Sequence, residues 1–376
     1  MPQRLPLLFF LLWLLGLALW VVSAVGVGAQ APQVRVLTVD GTIVPVVADY
    51  IDRGIGAAEK AGDVAVVIEL STPGGMLSTT EDIVDRIQES RVPVVVYVDR
   101  WAGSAGTFIT MAAHVAAMAP ASRIGAASPV SGTGEDIGET LKKKAMQDAA
   151  ARIRGLAALR GRNEQAAEAT VLEALSFTDG EALGLAPLTP TQKELLGLEE
   201  DYLDPPLVDL GARGLEDLVA KLDGREVQLD DGTRVTIRTE GCVIHRTGMN
   251  WVERFLQMIS DPNIAYILLS LGSLGIIMEF YHPGAILPGV AGALSLLIAF
   301  YSLQVLDAHW AGVLLILLAF GLLVAEVFTP TFGLLTAGAV ASLVSGSLIL
   351  FSGGPSTGGM DIDWWVIALV AVSYTH

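Results

Sequence analysis

The chain has little cysteine and histidine, and no lysine or arginine follows Arg254. Cys242 is its single cysteine, which excludes an intramolecular disulfide and a cysteine-based metal site. Acidic residues outnumber basic ones by 40 to 23, and the formal net charge of −17 argues against a nucleic-acid partner, which would require a basic face. The sequence has no P-loop, and its glycine turn at residues 73–75 lacks the G-x-G-x-x-G spacing of a dinucleotide site. We therefore expect no cofactor and no metal.

Apolar residues are abundant, at 52% of the chain, and much of the excess lies before Ala31 and after Asn263. At the N-terminus, Arg4 precedes a long apolar run that ends in a small-x-small pattern at residues 29–31. This arrangement predicts a signal peptide over residues 1–31, with an uncleaved membrane anchor as the alternative. Either interpretation places the middle of the chain outside the cytoplasm.

The C-terminal part contains four apolar stretches, at residues 264–281, 287–303, 310–328 and 333–351. Each is close to the roughly 20 residues that a helix needs to cross a bilayer, and a fifth begins at Trp364 and is cut short by the end of the sequence. Because no Lys or Arg follows Arg254, the positive-inside rule gives no orientation for these loops. The sequence predicts an all-α transmembrane region over residues 261–376, in a multi-pass protein of the inner (plasma) membrane.

Two further patterns accompany this region. Residues 276–283 resemble residues 323–330, and each places a glutamate, Glu279 or Glu326, in an apolar run before an aromatic residue and a proline. Such acids are either functional groups at membrane depth or, the interpretation we favour, groups near the bilayer surface or at a helix break. Residues 251–259 form an amphipathic segment that can lie along the membrane surface.

Between the apolar ends, strand-like and helix-like segments alternate. Strands are predicted at residues 34–39, 64–70 and 92–98, and helices at residues 43–61, 78–90 and 104–118. Uninterrupted Val and Ile runs are typical of buried parallel strands, so the pattern indicates an α/β fold whose functional groups collect at the carboxyl ends of the strands. Further helices are predicted at residues 140–160 and 164–175, a linker or insertion at 187–206, and a short helix and a hairpin within 207–241.

Ser104 stands where a predicted strand meets a predicted helix, among the small residues Gly103, Ala105 and Gly106. A second glycine turn, at residues 71–75, ends the preceding strand. Two such turns at neighbouring strand ends can place an oxyanion site beside a serine nucleophile. The competing interpretation is that Ser104 is an ordinary helix N-cap.

A serine nucleophile needs a base, and no histidine is well placed. His114 lies ten residues further along the same predicted helix, about 15 Å away. A serine–lysine pair is the alternative, and the lysines between the predicted helix and the linker are Lys142, Lys143 and Lys144. The competing interpretation of this run is a solvated helix face.

Several motifs of the chain resemble those of a known family. The motifs that carry the resemblance, over about residues 34–351, lie at residues 72–75, 103–107, 124–130, 160–163, 261–265 and 279–284. Together they resemble the long NfeD-family membrane serine proteases, also called stomatin-operon partner proteases, whose soluble part has a Clp-protease-like, crotonase-related fold. The resemblance implies a protease domain over residues 32–186, followed by a linker and a small α/β region over 187–260.

The resemblance also implies a catalytic dyad. The family serine matches Ser104, the family lysine matches Lys144 by its spacing to the Gly-Arg-Asn motif, and the backbone N–H groups of Gly75 and Ala105 would be the oxyanion donors. Helical periodicity instead favours Lys142, which remains the alternative base. The residues expected to contact substrate are Gly74, Pro129 and Val130.

The function implied is that of a membrane-anchored serine endopeptidase that cuts apolar segments of stomatin- or flotillin-like partners, with the lipid bilayer as a further partner and a homo-oligomer as the expected assembly. Two alternatives are a membrane scaffold with little protease activity and acyl-CoA chemistry on a similar oxyanion frame, which the exported location disfavours. The sequence departs from the family pattern at Ser71, where aspartate is frequent, in the length of residues 187–206, and in lacking the soluble OB-like domain of many members.

Overall fold

The computed structural model describes residues 31–129, 139–282, 286–305, 310–328, 333–350 and 363–375. The predicted signal peptide, apart from its last residue, lies outside the described residues, and so does Val130.

The α/β part is built on one mainly parallel sheet. The described strands are β1 (Gln33–Asp40), β2 (Ala65–Thr72), β3 (Val94–Gly103), β4 (Val115–Met118), β5 (Arg123–Gly125), β6 (Ser176–Thr178), β7 (Leu210–Gly211), β8 (Glu226–Gln228), β9 (Arg234–Thr236) and β10 (Val243–Arg246). The main order is β10-β1-β2-β3-β4-β7, with every neighbouring pair parallel. Strand β5 pairs in parallel with the end of β3 and antiparallel with β6, while β8 and β9 form a separate hairpin.

Fourteen helices lie in the described residues. They are α1 (Pro45–Ala61), α2 (Leu77–Gln88), α3 (Ala105–Ala112), α4 (Glu139–Leu159), α5 (Glu164–Leu172), α6 (Asp179–Ala182), α7 (Pro190–Leu196), α8 (Leu215–Leu222), α9 (Trp251–Ile259), α10 (Pro262–Tyr281), α11 (Ile286–Val305), α12 (Trp310–Phe328), α13 (Leu334–Leu350) and α14 (Trp364–Thr375).

The central strands are buried on both faces, which explains their uninterrupted apolar sequences. In β2, Val66 and Ile68 belong to one hydrophobic core, whereas Ala65 and Val67 belong to a second core on the other side of the sheet. Alternate residues of a strand point to opposite faces, so a strand between two cores needs apolar residues at every position. The predicted α/β fold is therefore seen in the sheet itself.

The predicted helix over residues 104–118 is wrong in its second half. Helix α3 ends at Ala112, and residues 115–118 form β4 beside β3. The N–H of His114 donates to the carbonyl of Val94 (2.9 Å), and the N–H of Ala119 donates to that of Val98 (2.8 Å). Almost every residue of this stretch is apolar and buried, so the sequence carries no periodicity that distinguishes a helix from a strand.

Residues 187–206 are not a linker. The segment contains α7, and its leucines Leu188, Leu196 and Leu203 are buried in the main core. The following residues provide both edges of the main sheet, through β7 beside β4 and β10 beside β1. Residues 187–260 therefore pack as part of the α/β domain, and they include the predicted short helix and hairpin as α8 and β8–β9.

The C-terminal part is helical. Among the described residues, one helix is long and apolar enough to cross a membrane, Pro262–Tyr281, and shorter apolar helices lie at Leu287–Leu303, Gly312–Glu326 and Leu334–Leu350. Helices α10 and α11 pack as one pair and α12 and α13 as another. The helical prediction is confirmed, while the number of membrane crossings stays a prediction.

Each pair joins through closely approaching glycines and through a glutamate of its first helix, Glu279 or Glu326, which lies against the second. A Cβ on Gly275 would come within 2.6 Å of the Pro288 carbonyl oxygen, and one on Gly346 within 2.9 Å of the Gly312 carbonyl oxygen. Small residues allow this closeness between membrane helices. The Glu326 carboxylate accepts hydrogen bonds from the N–H groups of Gly333 and Thr336 (3.0 Å each), so it caps the start of α13, as the helix-break interpretation predicts.

Candidate active site

Ser104 joins the end of β3 to the start of α3 in an unusual backbone conformation. Its φ of 47° and ψ of −111° lie outside the regions that residues with a side chain ordinarily adopt. Its N–H donates to the Gly125 carbonyl (3.1 Å), yet its side chain makes no capping hydrogen bond to the helix. The N-cap interpretation therefore does not explain this serine. Strain of this kind is concentrated at functional sites.

Thr107 holds this turn in place. Its hydroxyl lies 2.9 Å from the Ala102 carbonyl oxygen and 3.1 Å from that of Gly125, and it accepts from the Gly125 N–H at 3.2 Å. The side chain is fully buried, so it links the ends of β3 and β5 beneath Ser104. Sequence reasoning missed Thr107, although a threonine in the first turn after the serine was the available signal.

The glycine turn after β2 lies directly against Ser104. Gly74 has a φ of +131°, and a Cβ there would come 2.7 Å from the Cβ of Ser104 and 3.2 Å from its Oγ. Thr72, also missed by sequence reasoning, fixes the turn by accepting from the Gly74 N–H (3.0 Å) and donating to the Gly74 carbonyl (3.1 Å). The structure thus brings together the two turns that the parallel sheet predicted at one edge.

Two backbone N–H groups border this contact. Ile43 donates to the Gly74 carbonyl (2.8 Å) and accepts from the Met76 N–H (3.0 Å), so the N–H of the intervening Gly75 points away from Ile43. Ala105 is the first residue of α3, where an N–H has no acceptor within the helix. No backbone acceptor for either N–H is found in the described part of the chain.

The loop after β5 reaches the same edge of the sheet. Gly125 pairs in parallel register with Gly103, so the residues that follow both strands emerge together. Ser128 donates to the Val171 carbonyl, and Pro129 follows it as a partly exposed residue. A substrate contact at Pro129 stays a prediction, and Val130 is outside the described residues.

Among the described residues, no hydrogen bond joins a lysine to Ser104. Lys142, Lys143 and Lys144 lie in the first part of α4 and are all exposed. Lys144 lines a shallow surface depression with Lys143, Thr140 and Gln147. Ala149 and Ile153, on the apolar face that favoured Lys142, are buried, but Lys142 itself is not.

His114 is excluded as the base by its distance from Ser104, as the sequence suggested, and also by its surroundings. It follows α3, whose eight residues span about 12 Å, so it lies at the far end from Ser104. Its Nδ1 accepts from the Val94 N–H (3.1 Å), and its Nε2 lies 3.7 Å from Asp230. Burial, aided by the nearby Arg160 cation, lowers the pKa of His114 to about 3, so the ring is neutral and structural.

Two family models match the chain. Residues 33–201 match the NfeD1b N-terminal domain, and residues 263–375 match the NfeD integral membrane domain. The second match shows that the chain is a membrane protein.

Similar proteins agree with both matches. The membrane-bound protease PH1510 of Pyrococcus horikoshii is 33% identical over 327 residues, which cover 85% of this chain and 69% of that protein. The membrane protein NfeD1b of Bacillus subtilis is 29% identical over 351 residues, 92% of this chain and 71% of that protein.

Among solved structures, the α/β domain is similar to the 1510-N membrane-bound stomatin-specific protease. A lysine-to-alanine variant in complex with a substrate peptide matches with a TM-score of 0.52 and 28% identity, over 61% of this chain and 98% of that one. A serine-to-alanine variant matches with a TM-score of 0.50 and 29% identity, over 59% of this chain and 100% of that one. The predicted α/β fold of the Clp-protease-like kind is supported by these matches, and the chain belongs to the NfeD family, which includes this membrane-bound protease.

Proposed function

We propose that this protein is a membrane-anchored serine endopeptidase in which Ser104 is the nucleophile. The observation that carries the proposal is the strained backbone of Ser104, which leaves its hydroxyl out of the helix cap and beside Gly74. Relationship to a membrane-bound protease supports a peptidase of this kind. The remaining steps follow from the groups around Ser104.

In the proposed reaction, Ser104 Oγ attacks the carbonyl carbon of a peptide bond. The carbonyl oxygen becomes an oxyanion, which the N–H groups of Gly75 and Ala105 stabilise. Collapse of the tetrahedral intermediate expels the amine, which takes up the proton removed from the serine, and leaves an acyl-enzyme. Water then attacks the ester and regenerates Ser104.

Lys144 is the proposed base, with Lys142 as the alternative. A lysine can accept the serine proton only when it is neutral, a state that exclusion of water favours. Because the start of α4 is exposed in this chain, we propose that the bound peptide covers the lysine and supplies that exclusion. The resemblance to the family, through the spacing of Lys144 to residues 161–163, is the support for this choice.

The proposed substrates are apolar segments of stomatin- or flotillin-like membrane proteins, held against Gly74, Pro129 and Val130. The support is that 1510-N is a stomatin-specific protease and was solved with a substrate peptide. A homo-oligomeric assembly and an extracytoplasmic site remain part of the proposal.

The test is cleavage of apolar peptides by the full-length protein in detergent. Ser104→Ala should lower the rate by roughly 10³-fold or more, because no other group replaces the nucleophile. Ser71→Ala, in the neighbouring turn, is the matched control and should retain the rate. Lys144→Ala should lower the rate similarly, whereas Lys143→Ala should not, and the wild-type rate should rise toward alkaline pH as more of the base is neutral.

Each outcome separates the candidates. Loss of activity in Lys142→Ala but not in Lys144→Ala would move the base to Lys142. Cleavage that survives Ser104→Ala would refute the nucleophile. The exposure of all three lysines favours a second candidate, a membrane scaffold for stomatin-like partners, and a wild-type protein that binds such a partner without cutting it would support that function instead.

A further inference from the structure

Helix α9 has an apolar face that the protein leaves uncovered. Trp251, Phe255 and Met258 are 80%, 42% and 52% exposed, and their spacing places them on one side of the helix. On the opposite side, Glu253 is buried. An exposed stripe with a large aromatic residue at one end usually marks a contact surface.

The α/β domain fixes which way this face points. The Arg53 guanidinium binds the Glu253 carboxylate through two hydrogen bonds of 2.7 Å each, Nε to Oε1 and Nη2 to Oε2. The Asn250 side chain accepts from the N–H groups of Val252 and Glu253 (2.9 Å each), which caps the start of the helix. A two-point ion pair resists rotation of α9 about its axis, so the apolar stripe is held outward.

The stripe is continuous with the membrane part of the chain. Helix α9 ends at Ile259 and α10 begins at Pro262, where the helix that can cross a membrane starts. The family's integral membrane domain begins at residue 263. The joint between the two helices is only two residues long, so α9 has no length of chain with which to leave the bilayer surface.

The start of α14 carries two further tryptophans close to the start of α10. The N–H of Asp363 donates to Asn263 Oδ1 (2.7 Å), which places the start of α14 beside the start of α10. The first residues of α14, Trp364 and Trp365, are 79% and 52% exposed. Tryptophan is enriched where membrane proteins meet the headgroups, and Trp251 would complete such a belt.

We propose that the outer face of α9 is a lipid-docking surface, which lies in the plane of the membrane interface with Trp251, Phe255 and Met258 inserted. A helix of this kind buries its apolar face about 5–10 Å into the boundary between headgroups and acyl chains. The occupant is lipid because only two residues separate α9 from the helix that can cross a membrane. This inference uses the membrane domain alone and holds whether or not the protein cuts peptides.

The docked helix also sets the direction of the candidate active site. Gln257 Nε2 lies 3.4 Å from the carbonyl oxygen of Asp40, the last residue of β1. Because the strands are parallel, that carboxyl end shares an edge of the sheet with the turns at Gly74 and Ser104. The site therefore lies along the edge of the domain that faces the membrane.

The depth of α9 can be measured directly. The full-length protein would first have Cys242→Ser, so that a single new cysteine can be labelled with an environment-sensitive fluorophore. The labelled variants would be Phe255→Cys and Met258→Cys, with Lys221→Cys on the exposed face of α8 as the control. The protein would be reconstituted into vesicles of equal parts phosphatidylethanolamine and phosphatidylglycerol, with and without lipids that carry a quencher on the acyl chain.

Docking predicts a blue shift and a loss of fluorescence with the acyl-chain quencher for labels at positions 255 and 258, and neither change for the label at 221. Two labelled positions guard against a variant that fails to fold. Labels at 255 and 258 that resemble the control would overturn the proposal. A blue shift without quenching, together with disulfide cross-links between copies through position 255, would overturn it in favour of a contact between two copies of the chain.

Discussion

At Ser104 the chain holds a conformation that costs free energy, on the order of 1–3 kcal/mol for a residue of this kind. The surrounding contacts that maintain it come from three elements: Thr107 in α3, Gly125 at the end of β5, and Gly74 after β2. Such agreement between distant parts of the sequence is difficult to explain if the serine is only a helix cap.

Gly74→Ala tests the contact between the two turns. The added Cβ would lie 2.7 Å from that of Ser104, so we expect it to displace the hydroxyl and reduce peptide cleavage strongly. Gly41→Ala is the matched control, because Gly41 also has a positive φ, +110°, but open space around it. Measured in urea, both variants should lose at least about 1 kcal/mol of unfolding free energy from backbone strain, and Gly74→Ala should lose more because of the overlap. Only Gly74→Ala should lose cleavage. Wild-type cleavage by Gly74→Ala would show that this turn does not border the reacting groups.

At the scale of elements, α3 is held at both ends. Ser104 lies at its start, and the buried Arg162 guanidinium at its end also pairs with Asp209 (2.7 Å). Arg160 donates to the Ala112 carbonyl from the same side. The carbonyls that accept from Arg162 are those of Thr110, Met111 and Ala113. The arginine motif that contributed to the family resemblance therefore anchors the helix that carries the candidate nucleophile.

Arg162→Met should destabilise the protein by about 3–5 kcal/mol, because it leaves the Asp209 carboxylate and several carbonyls without their cation. Arg154→Met removes an exposed ion pair with Glu168 and should cost about 1 kcal/mol or less. Urea unfolding of both variants, followed by circular dichroism, would compare them. Equal losses would mean that the buried cluster contributes no more than a surface pair.

The elements also show where sequence reasoning succeeds and where it stops. The apolar runs of β1 to β3 and the glycines at their ends were sufficient to predict a parallel sheet with Gly74 and Ser104 on one edge. Residues 115–118 were not predicted as a strand because the residues before and after them are also apolar. The sequence therefore has no alternation that would distinguish a strand from a helix. Lys144 was chosen by spacing, and no pattern in the sequence tells whether a lysine at a helix start faces a groove or solvent.

At the scale of the whole molecule, the sheet is completed by a strand from far along the chain. Residues 33–36 of β1 pair with residues 243–246 of β10, and Arg246 of β10 reaches Glu69 of β2 across β1. The Tyr50 hydroxyl donates to the Thr247 carbonyl (2.6 Å), and Arg35 donates to the Thr247 hydroxyl (2.9 Å). The sheet of the α/β domain is therefore completed by residues just before α9. The sequence did not indicate this, because residues 187–206 were interpreted as a linker or insertion.

This closure predicts where the soluble domain can be cut from the membrane part. A fragment of residues 32–250 should be more stable to urea than one of residues 32–241, by roughly 3 kcal/mol or more, because the shorter fragment loses several hydrogen bonds and exposes the edge of β1. Equal unfolding free energies would indicate that β10 adds nothing to the fold. A fragment that also includes α9 should be less soluble than residues 32–250, since it carries the exposed Trp251.

The contact between Gln257 and Asp40 has a consequence for which peptide bonds the enzyme would meet. If α9 lies in the membrane interface, the edge of the sheet that carries Ser104 stands at a constant height above the bilayer. A membrane-bound substrate would then be selected by the number of residues between its own anchor and the bond to be cut. Moving an otherwise identical cleavage sequence nearer to or further from that anchor would change whether it is cut. The selectivity of such an enzyme would then depend first on the distance of the bond from the membrane and only second on the side chains around it.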